Sequence, residues 1–427
     1  MTDATPSSLT LAALWERPVV AARGDETGLV IRITATETPS APQNRAPIDV
    51  AFALDRSGSM AGAKLELAKQ AIAAASHHLA AGDRAALVIF DNAVEVRHEL
   101  APTTAEGRGR LRRALDEVGP GGSTNLSGGW LTACQELATD PPAGDRARIQ
   151  RSLLLTDGLA NIGITDPGEL AHHASQLRRR GIATTTIGVG EDFDELLLSG
   201  MAEAGGGAFQ YIAHPSELHA FFEREIGDLL DVVAIRPRLR ITFPHGMRGH
   251  LVNAFPVERA GGTFHVDLRD LASGDDLALV FDITTAPGEE RTRLAPTVEL
   301  VWTDPAANRQ VERHLDVEPL TRVPWQEVRH APHNDDAREA IVMERAARDH
   351  REAIRLDRAG RFAEARAHFR QAGVALSTAP QTARVREELH ISEDLAARSF
   401  APLDEHTRKQ RVFESQRRSR GTRHRER

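Results

Sequence analysis

Four short, largely apolar runs recur through the first half of the chain and constrain its fold more than any other feature. They are residues 48–54 (IDVAFAL), 85–90 (AALVIF), 152–156 (SLLLT) and 183–189 (ATTTIGV). Such runs are typical of strands buried on both faces of a parallel sheet. Helical patterns follow them at residues 63–80, 104–118, 126–138, 167–180, 192–204 and 216–230. Buried strands alternating with helices predict a doubly wound α/β domain with a mainly parallel sheet, which we place at residues 47–231.

An all-β pattern flanks this domain on both sides. Residues 1–46 contain strand-like segments at 9–11 and 28–34, and short strands separated by glycine-containing turns return in residues 232–330. Several short strands at such intervals favour a sandwich. The N-terminal strands need partners, and the later segment can supply them. We therefore predict that the α/β domain is inserted into a discontinuous, β-sandwich-like domain formed by both flanks.

The next segment, residues 331–400, is rich in Ala, Arg and Glu with helical periodicity, and Gly360 interrupts it. This pattern predicts a helical hairpin. The hairpin resembles one tetratricopeptide unit, but a single unit cannot bury its faces alone. We therefore expect a helical appendage that packs on the rest of the protein.

A basic tail, residues 401–427, ends the chain. Its last twenty residues contain nine Arg or Lys and two Glu, which leaves 44 basic and 59 acidic residues in the remainder. With so few apolar residues, the tail is predicted to be disordered. We interpret it as a solubilising end, with an arm for nucleic acid or an acidic partner as the alternative. Because no nucleic-acid module is recognisable, we expect at most weak nucleic-acid binding, through this tail.

Lysine and cysteine content excludes several functions. The chain has three lysines, Lys64, Lys69 and Lys409, and none stands in the Gly-Lys-Ser/Thr sequence of a phosphate-binding P-loop. The single cysteine, Cys134, excludes an internal disulfide and is interpreted as a small buried apolar residue of a helix. The start lacks leader-peptide features, and no apolar run approaches the roughly 18 residues of a membrane span. We expect a cytoplasmic protein without a membrane partner.

Oxygen-bearing side chains stand at the ends of the predicted strands. Asp55, Ser57 and Ser59 follow the first buried strand, Asp157 ends another, and Thr124 lies in a glycine-rich loop before a helix. In an open α/β sheet, the carboxyl ends of the strands form the binding crevice, so these side chains can converge there. A small hard cation such as Mg²⁺ prefers oxygen ligands. Neither His nor Cys occurs in these loops, so the set suits cation binding better than acid–base chemistry.

These motifs resemble a von Willebrand factor type A (VWA) domain. Asp55, Ser57 and Ser59 match the Asp-x-Ser-x-Ser sequence of that family, Thr124 matches its isolated threonine, and Asp157 its Thr-Asp-Gly aspartate. The resemblance implies a metal-ion-dependent adhesion site (MIDAS), in which the three hydroxyls contact the metal while both aspartates act mainly through water. The layout of the chain is also similar to that of bacterial relatives of the inter-alpha-trypsin inhibitor heavy chains.

The resemblance implies a non-enzymatic protein-binding module. A bound Mg²⁺, or alternatively Mn²⁺, would be completed by an Asp or Glu of a partner protein. A second hypothesis is an accessory subunit of a separate AAA+ ATPase, since this chain has no P-loop of its own. A third is a metal-dependent hydrolase.

Overall fold

Three strands precede the α/β domain. The computed structural model describes residues 8–36, 45–139, 147–397, 402–419 and 422–423. The first strands are β1 (Leu9–Trp15), β2 (Val19–Ala21) and β3 (Asp25–Ala35). β1 and β3 form an antiparallel pair. The predicted N-terminal strands are therefore present.

The α/β domain contains a six-stranded sheet with the strand order β6-β5-β4-β7-β8-β9, in which only the edge strand β6 is antiparallel to its neighbour. Its strands are β4 (Ile48–Asp55), β5 (Arg84–Phe90), β6 (Val94–Pro102), β7 (Ile149–Thr156), β8 (Ile182–Val189) and β9 (Gly206–Ile212). Its helices are α1 (Ala63–His78), α2 (Ala105–Asp116), α3 (Leu126–Thr139), α4 (Pro167–Arg179), α5 (Glu195–Gly205) and α6 (Leu218–Leu230). The predicted doubly wound fold is confirmed.

Helices cover both faces of this sheet, which explains its continuous apolar strands. In the central strand β4, Phe52 and Leu54 join a core with α1, α2 and α6. Ala51 and Ala53 face the opposite core, where Trp130 of α3 is fully buried. Protein cores are closely packed, so a large side chain needs small neighbours. The two alanines provide the space that the Trp130 indole fills against the sheet.

The β domain is built from both flanks of the chain, as predicted. The later strands are β10 (Val232–Thr242), β11 (Met247–Leu251), β12 (Val257–Ala260), β13 (Thr263–Asp267), β14 (Leu271–Ala272), β15 (Asp275–Thr285), β16 (Arg293–Leu294), β17 (Thr297–Asp304), β18 (Arg309–Leu315) and β19 (Leu320–Val323). One sheet has the order β1-β3-β15-β11 and the other β12-β13-β10-β17-β18. Ile31 and Phe281 of the first sheet share a core with Trp302 of the second. The α/β domain is thus an insertion in a sandwich.

The helical appendage is larger than the predicted hairpin. After the single turn α7 (Trp325–Val328), helices α8 (Asp335–Arg358) and α9 (Phe362–Ser377) form the hairpin, and α10 (Ala383–Ala397) adds a third helix. Ile341 of α8 packs with Val30 and Val280 on the outer face of the β1-β3-β15-β11 sheet. No helix within the described ranges is long and apolar enough to cross a membrane.

The prediction that residues 401–427 are disordered is wrong for most of the segment. Residues Glu405–Ser419 form helix α11, and Thr422–Arg423 form strand β20, which pairs with β15. Val412 is buried in the α3–α5 core of the α/β domain. The side chain of Gln416 accepts a hydrogen bond from the Phe209 backbone N–H at 2.6 Å. The few apolar residues are sufficient because they extend an existing core. Residues 420–421 and 424–427 lie outside the described residues.

We expect Val412→Asp to detach α11, because a carboxylate would replace a buried methyl-bearing side chain. The free energy of unfolding should fall by about 2–4 kcal/mol. Urea denaturation of the full chain and trypsin cleavage within residues 405–419 measure the effect. Val374→Asp is the matched control, because Val374 of α9 is 68% exposed. Equal stability of the two variants would contradict the docking of α11.

Candidate metal centre

The carboxyl edge of the central sheet brings together the side chains predicted from the sequence. Asp55 is the last residue of β4, and Asp157 directly follows the neighbouring strand β7. These two strands are parallel and hydrogen-bonded, with Leu54 opposite Leu155. Both aspartates are fully buried. Two carboxylates therefore lie side by side at one end of the sheet.

Hydrogen bonds connect the two aspartates with the two serines. Ser59 Oγ donates to Asp157 Oδ1 at 2.7 Å, and Ser57 Oγ lies 3.2 Å from Ser59 Oγ. Asp55 Oδ1 accepts from the Ser57 backbone N–H at 2.7 Å, and its Oδ2 accepts from Thr156 Oγ1 at 2.5 Å. Asp55 thus orients residues 56–59, which we call the serine loop. Thr156 is a positioning residue that sequence reasoning did not single out.

Thr124, the fifth predicted residue, approaches the serines across Gly158. A side chain added at Gly158 would begin 3.4 Å from Thr124 Oγ1 and 3.7 Å from Ser59 Oγ. The missing side chain therefore leaves a small space bordered by both hydroxyls. The Thr124 backbone N–H donates to Asn161 Oδ1 at 2.9 Å, which fixes this loop against the one after Asp157.

A further aspartate, Asp91, holds in place residues 121–125, the threonine loop, and was not identified from the sequence. Its Oδ2 accepts from the Gly122 N–H at 3.2 Å and lies 3.4 Å from the Arg56 guanidinium, while its carbonyl accepts from the Asn125 N–H at 2.7 Å. A Cβ on Gly121 would lie 1.9 Å from that Oδ2, so only glycine fits there. Asp91 follows β5, and its position at a strand end could have revealed it.

The electrostatics of the centre favour a cation. Burial raises the pKa of Asp55, and the neighbouring charge of Asp157 raises it further, although hydrogen bonds from Thr156 and Ser57 oppose the shift. Lys64 Nζ lies 2.5 Å from Asp157 Oδ2 and neutralises one of the two carboxylates. When both aspartates are ionised, these three groups carry an excess of one negative charge. Together with an all-oxygen donor set, this charge fits a small hard cation.

Two other groups of the protein contain residues that could carry chemistry. Cys134 is fully buried, and burial raises its pKa to about 12, which confirms it as an inert core residue. Among the residues that the structure describes, the side chains of Glu299, Glu312 and His314 lie close enough to hold an ion. Glu299 is already paired with Arg240, however, and both Glu312 and His314 are exposed. The group therefore has no buried side chain that is available to bind an ion.

Comparisons with known proteins agree with this fold. Residues 49–224 match the family model of the von Willebrand factor type A domain. The chain therefore contains a VWA domain. Domains of this class commonly mediate metal-dependent protein interactions.

Two relatives and one solved structure extend the comparison. The chain is 27% identical over 274 residues to the uncharacterized protein YfbK of Escherichia coli, which covers 60% of this chain and 47% of the relative. It is 27% identical over 197 residues to human inter-alpha-trypsin inhibitor heavy chain H4, covering 44% of this chain and 21% of the heavy chain. The chain thus matches less than half the length of either relative. A solved structure of a von Willebrand factor type A protein from Catenulispora acidiphila covers 99% of both chains with a TM-score of 0.74 at 18% identity. The shared fold therefore includes the flanking domains.

The raised pKa of Asp55 predicts a stability cost at neutral pH. Its folded-state pKa lies above the unfolded value, so the cost is full above the folded pKa and disappears below the unfolded pKa of about 3.9. Asp55→Asn should therefore raise the free energy of unfolding at pH 7 in chelator. The difference should shrink as the pH approaches 4. Urea denaturation at several pH values measures it.

Asp49, at the other end of β4, is the control of opposite sign. Burial alone would raise its pKa, but hydrogen bonds from Arg84 and Arg148 hold it below the usual value. This carboxylate stabilises the fold above the unfolded pKa, and the contribution is lost as the pH falls through the folded pKa. Asp49→Asn should therefore destabilise the protein at pH 7. A loss of stability in both variants would contradict the assignment for Asp55.

Proposed function

We propose that the VWA domain is a non-enzymatic module that binds a partner protein through a divalent cation. Ser57, Ser59 and Thr124 would ligate Mg²⁺, or alternatively Mn²⁺, directly. Asp55 and Asp157 would act mainly through water. The observation that carries the proposal is the meeting of two fully buried carboxylates and three hydroxyls at one sheet edge.

The donor chemistry explains why the partner should be acidic. The three hydroxyls that would ligate the cation are neutral, and the two carboxylates would act mainly through water. A divalent cation held by this set remains incompletely neutralised, so when bound it supplies a coordination position that attracts an Asp or Glu carboxylate. The three loops contain no His or Cys to transfer a proton, which favours binding over hydrolysis.

The rim of the site is suited to a protein surface. Its exposed residues are small and uncharged in the first loop, where Gly58, Ser59 and Ala61 face solvent. Leu159, two residues after Asp157, is 56% exposed. A partner that covered this leucine would remove apolar area from water, which favours association. We infer that Leu159 contributes to partner binding without contacting the cation.

Calorimetric titration with Mg²⁺ tests the cation. The wild-type chain should bind it saturably, and Ser57→Ala should weaken binding by at least about tenfold, since even outer-shell changes have effects of this size. Ser123→Ala is the matched control, because this serine is exposed in the threonine loop and should leave the affinity unchanged. Equal affinities for Ser57→Ala and the wild type would disprove the ligand assignment.

Affinity purification in Mg²⁺ followed by elution with chelator tests the partner. Proteins eluted from the wild type should be absent with Ser57→Ala. Leu159→Ser should also retain less partner while its Mg²⁺ affinity stays that of the wild type, because only the apolar contact is removed. Crosslinking of the eluted complexes should locate a partner Asp or Glu at the site. Partners retained equally in chelator would refute metal dependence.

An accessory role for an AAA+ ATPase is a special case of the same chemistry. The ATPase would present the acidic residue, because this chain lacks a P-loop. Stimulation of ATP hydrolysis in trans, lost with Ser57→Ala, would identify this case among the partners.

A further inference from the structure

Lys64 occupies an unusual position at the candidate metal centre. It is the second residue of α1, where the helix dipole disfavours a positive charge. The lysine is nevertheless directed to Asp157, and its Nζ lies 2.5 Å from Oδ2. The Lys64 side chain is 27% exposed, whereas that of Asp157 is completely buried. The ion pair therefore reaches from the protein surface to an interior carboxylate.

The backbone around Lys64 accommodates its ammonium group. Gly190, at the end of β8, has a φ of +77°, and a Cβ there would lie 3.6 Å from Lys64 Nζ. The lysine side chain thus passes over a position without a side chain, in a left-handed conformation that favours glycine. A Cβ at that distance would make ordinary van der Waals contact, so the ammonium lies directly against the end of β8.

Both oxygens of Asp157 are engaged by groups of the chain itself. Oδ1 accepts from Ser59 Oγ at 2.7 Å, and Oδ2 accepts from Lys64 Nζ. The serine hydroxyl can rotate and turn a lone pair towards a cation, so this bond adapts easily. The ammonium has only donors and a fixed positive charge, so it repels any cation close to Asp157.

We propose that Lys64 is an internal counter-cation that competes with the divalent ion for Asp157 and lowers the metal affinity of the site. This inference rests on the proposed cation-binding function. The ammonium stabilises the buried carboxylate before metal binding, and it must leave or weaken its bond when a divalent ion binds. The ion pair stabilises the metal-free protein and is lost or weakened when the metal binds. The apparent metal affinity is therefore lower by the factor by which the ion pair favours the metal-free state.

Calorimetric titration of the full chain with Mg²⁺ and with Mn²⁺ tests the competition. Lys64→Met removes the charge while keeping an unbranched side chain, and it should raise the affinity for both ions by about fivefold or more. Lys64→Arg keeps the charge and should remain close to the wild type. Lys69→Met is the control on the same helix, because Lys69 bonds to Glu66 and to the Val118 carbonyl instead.

Thermal unfolding supplies a second readout. In chelator, Lys64→Met should melt below the wild type, because the buried Asp157 carboxylate loses its ammonium partner. Saturating Mg²⁺ should then raise its Tm by more than it raises that of the wild type, since ligand stabilisation grows with affinity. A merely structural lysine would lower both Tm values equally.

The outcomes separate this inference from the proposed function. A folded Lys64→Met variant with unchanged or weaker Mg²⁺ affinity would overturn the competition, even when wild-type binding depends on Ser57. If Lys64→Met bound Mg²⁺ and the wild type showed no measurable binding, the result would support the competition between Lys64 and the cation. Equal binding by wild type and Ser57→Ala would instead refute the proposed ligand set. Absence of binding in every variant would refute both.

Discussion

The antiparallel pairing of β3 with β15 is the constraint on which the arrangement of the other domains depends. It joins ten residues before the α/β domain, from Asp25 to Thr34, with ten after it, from Asp276 to Thr285. The chain leaves the sandwich after β3 and re-enters it at β10 near the same place, where the Ser8 carbonyl accepts from the Thr36 N–H and the Ser8 hydroxyl donates to the Val233 carbonyl. The amino end of the inserted sheet faces the sandwich, because the Ala147 N–H, just before β7, donates to Asn308 Oδ1 of the β domain at 2.7 Å. The carboxyl end, roughly 25 Å away along an eight-residue strand, is consequently turned away from the sandwich.

The C-terminal helices make a second connection, close to the candidate metal centre. Arg358 of α8 forms an ion pair with Asp194 at 2.5 Å, and Lys409 of α11 lies 3.5 Å from the buried Glu195. Asp194 also caps α5, the helix that follows β8. The helices therefore fix one side of the sheet edge at which Lys64 and Asp157 meet.

Most of the fold was predictable from local pattern, and the exceptions have physical causes. Strands β4, β5, β7 and β8 were recognisable because helices cover both their faces. The sequence pattern does not predict β6, because this edge strand is half-exposed, and it does not predict β9, because this strand begins with two glycines. The composition of the tail alone predicts disorder, but Val412 is buried in a core that distant residues supply. Composition can show that a segment cannot form a core, but it cannot show whether the segment joins one.

The sequence by itself determined the fold class and the five candidate ligands, Asp55, Ser57, Ser59, Thr124 and Asp157, because strand ends are local features and parallel strands place these ends together. Only the tertiary structure decided which groups support them. Asp91 holds the threonine loop and Lys64 engages Asp157 across 93 positions of the chain. Such contacts depend on strand order and on the distance between atoms. Neither is recorded in the periodicity of any single segment, so the charge balance of the site became visible only in three dimensions.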